Sequence, residues 1–552
     1  MKRRNVIYVS VLVAGFLMLG FSGNADNDLF LRINKGIDVF GKVYKEIAIN
    51  YVDDVDPDRF MRAGIDGMLK TLDPYTVYIG EKESDELDLV TTGKYGGVGI
   101  TIGNRDGMIT VIGLMEGFSA ARQGIEVGDR IVEVDGKRVV GSSLEDVRQL
   151  VRGAPGTEVR VKIEREGAIE PLEFALMREE IPVRNVTYTG YVEKGLGYIR
   201  LERFSRTAGD DLRNALKDLR VTGELKGLVL DLRDNPGGLL DIAVETSAKF
   251  LAESSLVVST RGRRGDADRK YYSTEKPMLV DVPLVVLVNR GTASASEIVS
   301  GAIQDLDRGV IVGSRTFGKG LVQTITRLSD NSSLKITTAR YYTPSGRCIQ
   351  EIDYSHRTRD GNVVTFADSL KREFRTAHNR KVLEGGGIQP DSVVTEEEDN
   401  RLISELYRKS MLFKYANKYA TEHRNLADNF QVTSEILSDF EKFLKEKKFD
   451  FQEEVELRLK ELREAAEKSR FGPAFFDEAK KIDGLIAAEK NRMMDRYRNE
   501  LKSVLRTEII GRIKGEKARI ESSFGDDRQL QVATTLLKNK KMYERLLTGK
   551  SK

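Results

Sequence analysis

Ser294 and Lys319, twenty-five positions apart, are the residues best suited to do chemistry. They lie in Thr292-Ala-Ser-Ala-Ser-Glu-Ile298 and Thr316-Phe-Gly-Lys-Gly-Leu-Val-Gln323. Ser294 stands on a turn of small residues leading into a helical stretch, Glu297 to Gln304. Such a turn exposes a hydroxyl and aims free backbone N–H groups at an oxyanion. A serine nucleophile needs a base. The three histidines, His356, His378 and His423, all lie downstream in polar stretches, so a lysine base is the more economical reading. Lysine titrates at about 10.4 in water, and bringing it to 7 costs about 4 kcal/mol, which calls for dry surroundings. Phe317, Leu321 and Val322 are the apolar neighbours that could supply them. Taken singly, each segment is equally an ordinary surface turn. Cys348, the single cysteine, is the rival nucleophile; it reads better as a small buried side chain, and no intramolecular disulfide is possible.

The elements around these residues alternate. Between 171 and 394, short apolar runs (Gly197–Leu201, Gly227–Leu232, Leu284–Val288, Val310–Val312) alternate with helical stretches such as Ala208–Leu219 and Leu240–Leu251. Near-continuous apolar strands imply a sheet covered on both faces, hence an α/β core with its chemistry at strand ends. Residues 350–381 are polar and read as an insertion. Residues 26–88 are mainly helical, with one apolar face at Leu29, Ile33, Ile37, Phe40 and Tyr44 and a break at Asp73-Pro74. From 395 to 552 the composition shifts to Lys, Glu, Arg and Leu. Its longest helix would run from Ala479 to Ile520, roughly 60 Å if unbroken. Its mixed charges suit a solvated helix; a cap over the core or a partner-binding arm are the alternatives.

Residues 89–170 resemble a PDZ domain. Tyr95-Gly-Gly-Val-Gly-Ile100 would be the carboxylate-binding loop, in which Gly97, Val98, Gly99 and Ile100 converge on a chain-terminal carboxylate beside an open strand. Gly124-Ile-Glu-Val-Gly-Asp-Arg-Ile-Val-Glu-Val-Asp-Gly136 is the second matching segment, ending in an Asp-Gly hairpin turn. Leu144–Val151 would be a short helix whose Val147 and Val151 line the groove.

The chain resembles the carboxyl-terminal processing proteases, tail-specific serine peptidases with a PDZ domain and a Ser-Lys dyad. The likeness rests on Asp231-Leu-Arg-Asp-Asn-Pro-Gly-Gly238, Val288-Asn-Arg-Gly-Thr-Ala-Ser-Ala-Ser-Glu297, Gln304-Asp305, Thr316–Gln323 and Gly387-Ile-Gln-Pro-Asp391. It covers roughly residues 40–394, with no family signal beyond. The resemblance implies a crotonase-like α/β serine protease core in a multidomain α/β chain. Ser294 would be the nucleophile, Lys319 the general base and Gln323 the residue that orients the lysine, an amide one helical turn away. It also implies an oxyanion hole from the Gly237-Gly238 turn, with Gly238 favoured, and the N–H of Ala295. Asp305 matches the pattern, with a structural role as the alternative.

The expected organisation is therefore a signal peptide or membrane anchor (1–25), a helical N-terminal segment (26–88), a PDZ domain (89–170), the protease core (171–394) and a helical C-terminal extension (395–552). Lys2-Arg3-Arg4, the apolar run Val6–Phe21 and Gly23-Asn-Ala25 form a secretory pattern, with an uncleaved inner-membrane anchor as the alternative. Export to the periplasm or cell envelope follows. The net charge of +3 is slight for 552 residues and does not suggest nucleic acid. No histidine and carboxylate cluster has ligand spacing, so neither metal nor cofactor is expected. The function expected is an endopeptidase that cuts exported polypeptides near exposed C-termini, with PDZ occupancy gating the dyad. A homodimer or larger assembly, and a partner for the C-terminal helices, are compatible. The rivals are a non-catalytic PDZ adaptor of the envelope and a hydratase or hydrolase of acyl thioesters.

Overall fold

A computed structural model describes residues 24–80, 92–328, 332–357, 363–365, 371–395 and 400–549. The expected signal segment falls outside them, apart from its last two residues. Among the described residues no helix is long and apolar enough to cross a membrane. The chain divides into two compact units, residues 1–81 with 323–337 and residues 82–322 with 338–552.

The smaller unit holds α1 (Asn24–Asn50), α2 (Pro57–Leu69) and β1 (Val77–Ile79). Asp56 caps α2, accepting from the N–H groups of Asp58 and Arg59, and Pro57 fits the first helical position. Asp73 then turns the chain, accepting from the N–H groups of Tyr75 and Thr76.

In the larger unit the PDZ-like region opens with β2 (Lys94–Gly97), β3 (Ile100–Arg105), β4 (Met108–Leu114), α3 (Ser119–Gln123), β5 (Arg130–Val134), β6 (Lys137–Arg138), α4 (Leu144–Val151), β7 (Glu158–Glu164), β8 (Leu172–Met177) and β9 (Glu179–Pro182). The antiparallel sheet runs β3-β4-β5-β7-β8, which leaves β3 at an edge, and β2 pairs separately with β9. Asp135 and Gly136 both take positive φ, as the tight hairpin between β5 and β6 demands. Val147 packs in the domain core with Ile131 and Val161 and does not line the groove, whereas Val151 does.

The α/β core follows: β10 (Val186–Glu193), β11 (Leu196–Leu201), α5 (Ala208–Thr222), β12 (Gly227–Asp231), α6 (Leu240–Ala248), β13 (Leu256–Gly262), β14 (Arg269–Tyr272), β15 (Leu284–Val288), α7 (Ala295–Asp305) and β16 (Val310–Gly313). β17 (Leu321–Arg327) and β18 (Ser333–Tyr342) carry the chain between the units. The region read as an insertion holds two small antiparallel pairs, β19 (Ile352–Arg357) with β20 (Val363–Thr365) and β21 (Glu373–Arg375) with β22 (Lys381–Leu383). β23 (Ser392–Val393) completes a six-stranded sheet ordered β10-β11-β12-β15-β16-β23, parallel except for the β10–β11 pair.

Alternation along these strands sends Leu228, Leu230, Val286 and Val288 to one face, against α5, α6 and α7. Val229, Val285, Leu287, Val310 and Val312 go to the other. The C-terminal region covers that second face. It contains α8 (Arg401–Arg408), α9 (Met411–Glu422), α10 (Ser434–Glu446), α11 (Glu454–Lys468), α12 (Pro473–Arg496), α13 (Arg498–Lys514), α14 (Glu516–Ser523), α15 (Arg528–Lys538) and α16 (Lys540–Thr548). Ile520, Leu530, Leu536 and Tyr543 pack on the sheet, and the Tyr543 hydroxyl meets both backbone groups of Leu284. The single long helix expected over Ala479–Ile520 is instead three. Tyr497 leaves helical geometry at φ −100°, ψ 20°, and Gly515 takes φ 87°, ψ 178°, which no L residue adopts without strain. Nor is it simply solvated: Leu501, Leu505 and Ile509 are buried in a core with Leu412, Tyr415 and Phe440.

Candidate active site

Ser294 sits where β15 has ended and α7 is about to begin. Its backbone is held at φ 55°, ψ −115°, a region that costs an L residue roughly 1–3 kcal/mol and persists only when its surroundings enforce it. Those surroundings are visible. Thr292 donates its hydroxyl to the Leu232 carbonyl at 2.8 Å, and the Ala293 N–H donates to the Asn235 carbonyl at 3.0 Å. The buried Tyr341 hydroxyl donates to the Ser294 carbonyl at 3.1 Å.

Glu297 organises the rest. It is fully buried one turn into α7, and its carboxylate accepts four hydrogen bonds: Ser294 N–H (2.8 Å), Lys319 N–H (2.9 Å), Gly318 N–H (2.7 Å) and the Thr316 hydroxyl (2.6 Å). Burial pushes its pKa from 4.5 up to about 7, against the pull of those donors. One carboxylate thus ties the serine turn to the lysine loop. Thr316 in turn accepts from the Ile388 N–H at 2.7 Å, and Phe317 N–H donates to the Thr292 carbonyl at 3.0 Å. Ser294 and Lys319 are both half-buried. Of the apolar neighbours expected to keep the lysine dry, Leu321 is buried and Val322 packs against the core, but the Phe317 side chain is 43% exposed.

The Asp231–Gly238 segment lies directly against the serine turn. Asn235, fully buried, donates to the Leu201 carbonyl and accepts from Gly237 N–H at 2.9 Å, while its own carbonyl accepts from Ser296 Oγ at 2.9 Å. A Cβ on Gly237 would lie 2.8 Å from the Ala295 nitrogen and 2.9 Å from Ser294 Cβ, and one on Gly238 would overlap the Phe204 carbonyl. Both positions therefore need glycine. Because Gly237 N–H is committed to Asn235, the open donors here are Gly238 N–H and Ala295 N–H; neither has an acceptor among the described residues.

Other candidates are placed elsewhere. Gln323 lies on β17, an extended strand, so the helical turn expected between it and Lys319 does not exist; its amide donates to Thr337 Oγ1 at 3.3 Å. Asp305 is buried and pairs with Arg347 at 2.7 Å, a structural link. Burial pushes the Cys348 thiol pKa up, which makes it a poor nucleophile. His378 and His423 are engaged near Leu547 and Tyr419, and the His356 side chain lies outside the described residues. No group of metal-ligating side chains is found among the described residues. Glu297 and Asn235 carried no role in the sequence reading. The Ser-x-x-Glu spacing ahead of a helix was the available signal for Glu297.

The chain is similar in sequence to proteases of other organisms. A carboxy-terminal-processing protease of Bartonella bacilliformis is 37% identical over 64% of this chain and 81% of its own length. The carboxy-terminal processing protease CtpA of Bacillus subtilis is 32% identical over 63% and 74%. The chain belongs to the carboxy-terminal processing proteases. The model of peptidase family S41 matches residues 195–356, and that of a PDZ domain residues 110–165. Residues 24–83 match the activating protease CtpB N-terminal domain, and 402–537 a probable PDZ-protease C-terminal helical domain. That last match corrects the reading that family signal ends near 394: helical cover is built largely from generic apolar spacing, which carries no chemical motif. Among solved structures, the photosystem II D1 C-terminal processing protease is 28% identical, covering 65% of this chain and 92% of its own, with a TM-score of 0.35. Membership of this serine-type protease family, with its PDZ domain, is thereby established for the chain.

Proposed function

We propose that the chain is a Ser-Lys endopeptidase that cuts exported polypeptides near their C-termini. Ser294 Oγ attacks the scissile carbonyl as the Lys319 amine takes its proton. The N–H groups of Gly238 and Ala295 hold the tetrahedral oxyanion, each such donor being worth roughly 2.7–4 kcal/mol. The lysine then returns its proton to the leaving amine, and water hydrolyses the acyl-enzyme. The observation that carries this reading is the buried Glu297 carboxylate, which accepts from both Ser294 N–H and Lys319 N–H. Gln323 remains the candidate for orienting the lysine.

The substrate tail would add as a strand to β3, with its terminal carboxylate on the loop Gly97-Val98-Gly99-Ile100. Arg203 lines that groove, and the next residue, Phe204, donates its N–H to the Gly237 carbonyl and accepts from Leu239 N–H. This continuity supports gating of the site by PDZ occupancy. The basic n-region and apolar run of residues 2–21 support export to the periplasm or cell envelope. Leu29, Ile33, Ile37 and Phe40 on α1 stay exposed, which supports self-association.

The test uses purified chain and a peptide with a free apolar C-terminus. Ser294→Ala and Lys319→Ala should each reduce turnover by about a thousandfold or more while tail binding persists. Full turnover in Lys319→Ala would overturn the dyad, and absence of turnover in the wild type would favour an adaptor. A tail peptide added in trans should change the rate on an untagged substrate if occupancy gates the site.

A further inference from the structure

The groove between β3 and α4 has an apolar floor and a basic rim. Ile100, Ile102, Met115 and Val151 line a cavity of about 440 Å³. At its end the N–H groups of Val98 and Gly99 meet no acceptor among the described residues, which leaves two donors for a carboxylate. Gly99 takes φ 82°, and a Cβ there would overlap the Phe118 side chain, so the loop is built around glycine.

Four arginines, Arg148, Arg152, Arg184 and Arg203, are among the residues that line the same cavity, and Glu202 is the one acidic residue among them. Glu202 is taken up by Arg200 at 3.0 Å, Arg148 by Glu145 at 2.5 Å, and Arg152 lies over the Tyr95 ring at 4.6 Å. Arg184 and Arg203 are exposed and pair with no carboxylate among the described residues. Both belong to the core side of the groove, Arg184 just before β10 and Arg203 just after β11. Burial raises the Tyr95 phenol pKa, and Arg152, Arg203 and Arg148 act against that rise, so these charges converge on one end of the groove.

A single chain-terminal carboxylate seated on Val98 and Gly99 leaves this positive charge largely unanswered. We propose that Arg184 and Arg203 are specificity residues that select polypeptide tails bearing an acidic side chain next to an apolar C-terminal residue. Strand addition turns successive side chains to opposite faces. The last side chain enters the apolar floor, and its neighbour turns out to the rim where the arginines stand. Two partly exposed ion pairs of this kind give about tenfold in affinity. The inference rests on tail capture by the PDZ groove.

The experiment measures fluorescence anisotropy of dye-labelled peptides on the full chain carrying Ser294→Ala. The peptides end in free Val, with Asp, Asn or Lys before it, and an amidated Asp-Val peptide is the control. The Asp peptide should bind about tenfold tighter than the Asn peptide at low salt, with the Lys peptide weakest, and the gap should shrink at 0.5 M salt. Arg184→Gln/Arg203→Gln should bring Asp and Asn peptides level, with the free-ended Asn peptide still binding, which also reports an intact fold. Either single substitution should give part of that effect. Equal binding of Asp and Asn peptides to the arginine-bearing chain, or an undiminished gap in the double variant, would overturn the selection while leaving tail capture standing. Failure of every free-ended peptide to bind, or equal binding of the amidated one, would instead remove tail capture itself.

Discussion

Arg233 donates from Nη2 to Asp527 Oδ2 at 2.7 Å, joining residues 294 positions apart in the chain. The same guanidinium grips Asp231, whose carboxylate is buried and also accepts from the Tyr198 hydroxyl at 2.6 Å. Burial works against ionisation of Asp231, but Arg233 and Tyr198 outweigh it and hold its pKa below the ordinary value. Arg233 stands four residues before Gly237, so the clamp secures the base of the turn that faces Ser294. Asp527 also caps α15, accepting from Leu530 N–H at 3.0 Å. Asp527→Ala removes both the two-pronged clamp and the cap and is expected to destabilise the protein by about 2–4 kcal/mol. Asp527→Asn keeps the cap and should lose about half as much. Urea unfolding of the two variants checks the ordering, and wild-type stability in Asp527→Asn would count against the clamp.

Glu297 makes activity and stability move in opposite directions with pH. Its folded pKa, about 7, lies above the ordinary 4.5, so its contribution to stability is full below 4.5 and is lost as pH rises through 7. Activity needs the ionised form, because a protonated oxygen cannot accept from all four donors. Turnover should therefore rise through pH 7 while this stabilisation falls. Glu297→Gln presents an N–H₂ group to donors and should cut kcat by about 10–100-fold. It should also flatten the stability profile between pH 4.5 and 7 in thermal unfolding. A variant with wild-type turnover would show that the two loops hold their geometry without the carboxylate.

Much of the core could be read before any coordinates, because its strands are apolar runs buried on both faces and its chemistry sits in glycine-rich turns. Leu284–Val288 and the Ser294 turn were recognisable for these reasons. What covered the second face was not, since Leu530, Leu536 and Tyr543 carry only helical spacing that suits many partners. Gln323 was misplaced in a helix because a four-residue interval says nothing of backbone conformation; the β17–β18 pairing decides it. Val147 and Val151 share one helix face by spacing and both are buried in the domain core, but only Val151, at the end of α4, also reaches the groove.

Gly237→Ala separates binding from chemistry. The added Cβ has no room beside the Ala295 nitrogen and Ser294 Cβ, and φ at this position is 99°. The turn must shift, carrying the Gly238 N–H with it. The expected result is a kcat lower by about 10²–10³-fold, in line with loss of one oxyanion donor, with KM little changed. Tail-peptide affinity, measured with Ser294→Ala in the same chain, should stay at its wild-type value. An unchanged kcat would place the oxyanion donor elsewhere.

Gly515→Ala decides between two opposed expectations. In a continuous helix, replacing glycine by alanine gains about 1 kcal/mol. Here Gly515 joins α13 to α14 at φ 87°, ψ 178°, and a Cβ on it would meet nothing within 4 Å. Space is available, so backbone strain alone sets the sign, and it is unfavourable by about 1–3 kcal/mol. The junction matters because Ile509 on α13 packs in the helical core while Ile520 on α14 packs on the sheet. Denaturant unfolding of Gly515→Ala should thus show lower stability than wild type. A gain would mean that α13 and α14 can fuse into one helix.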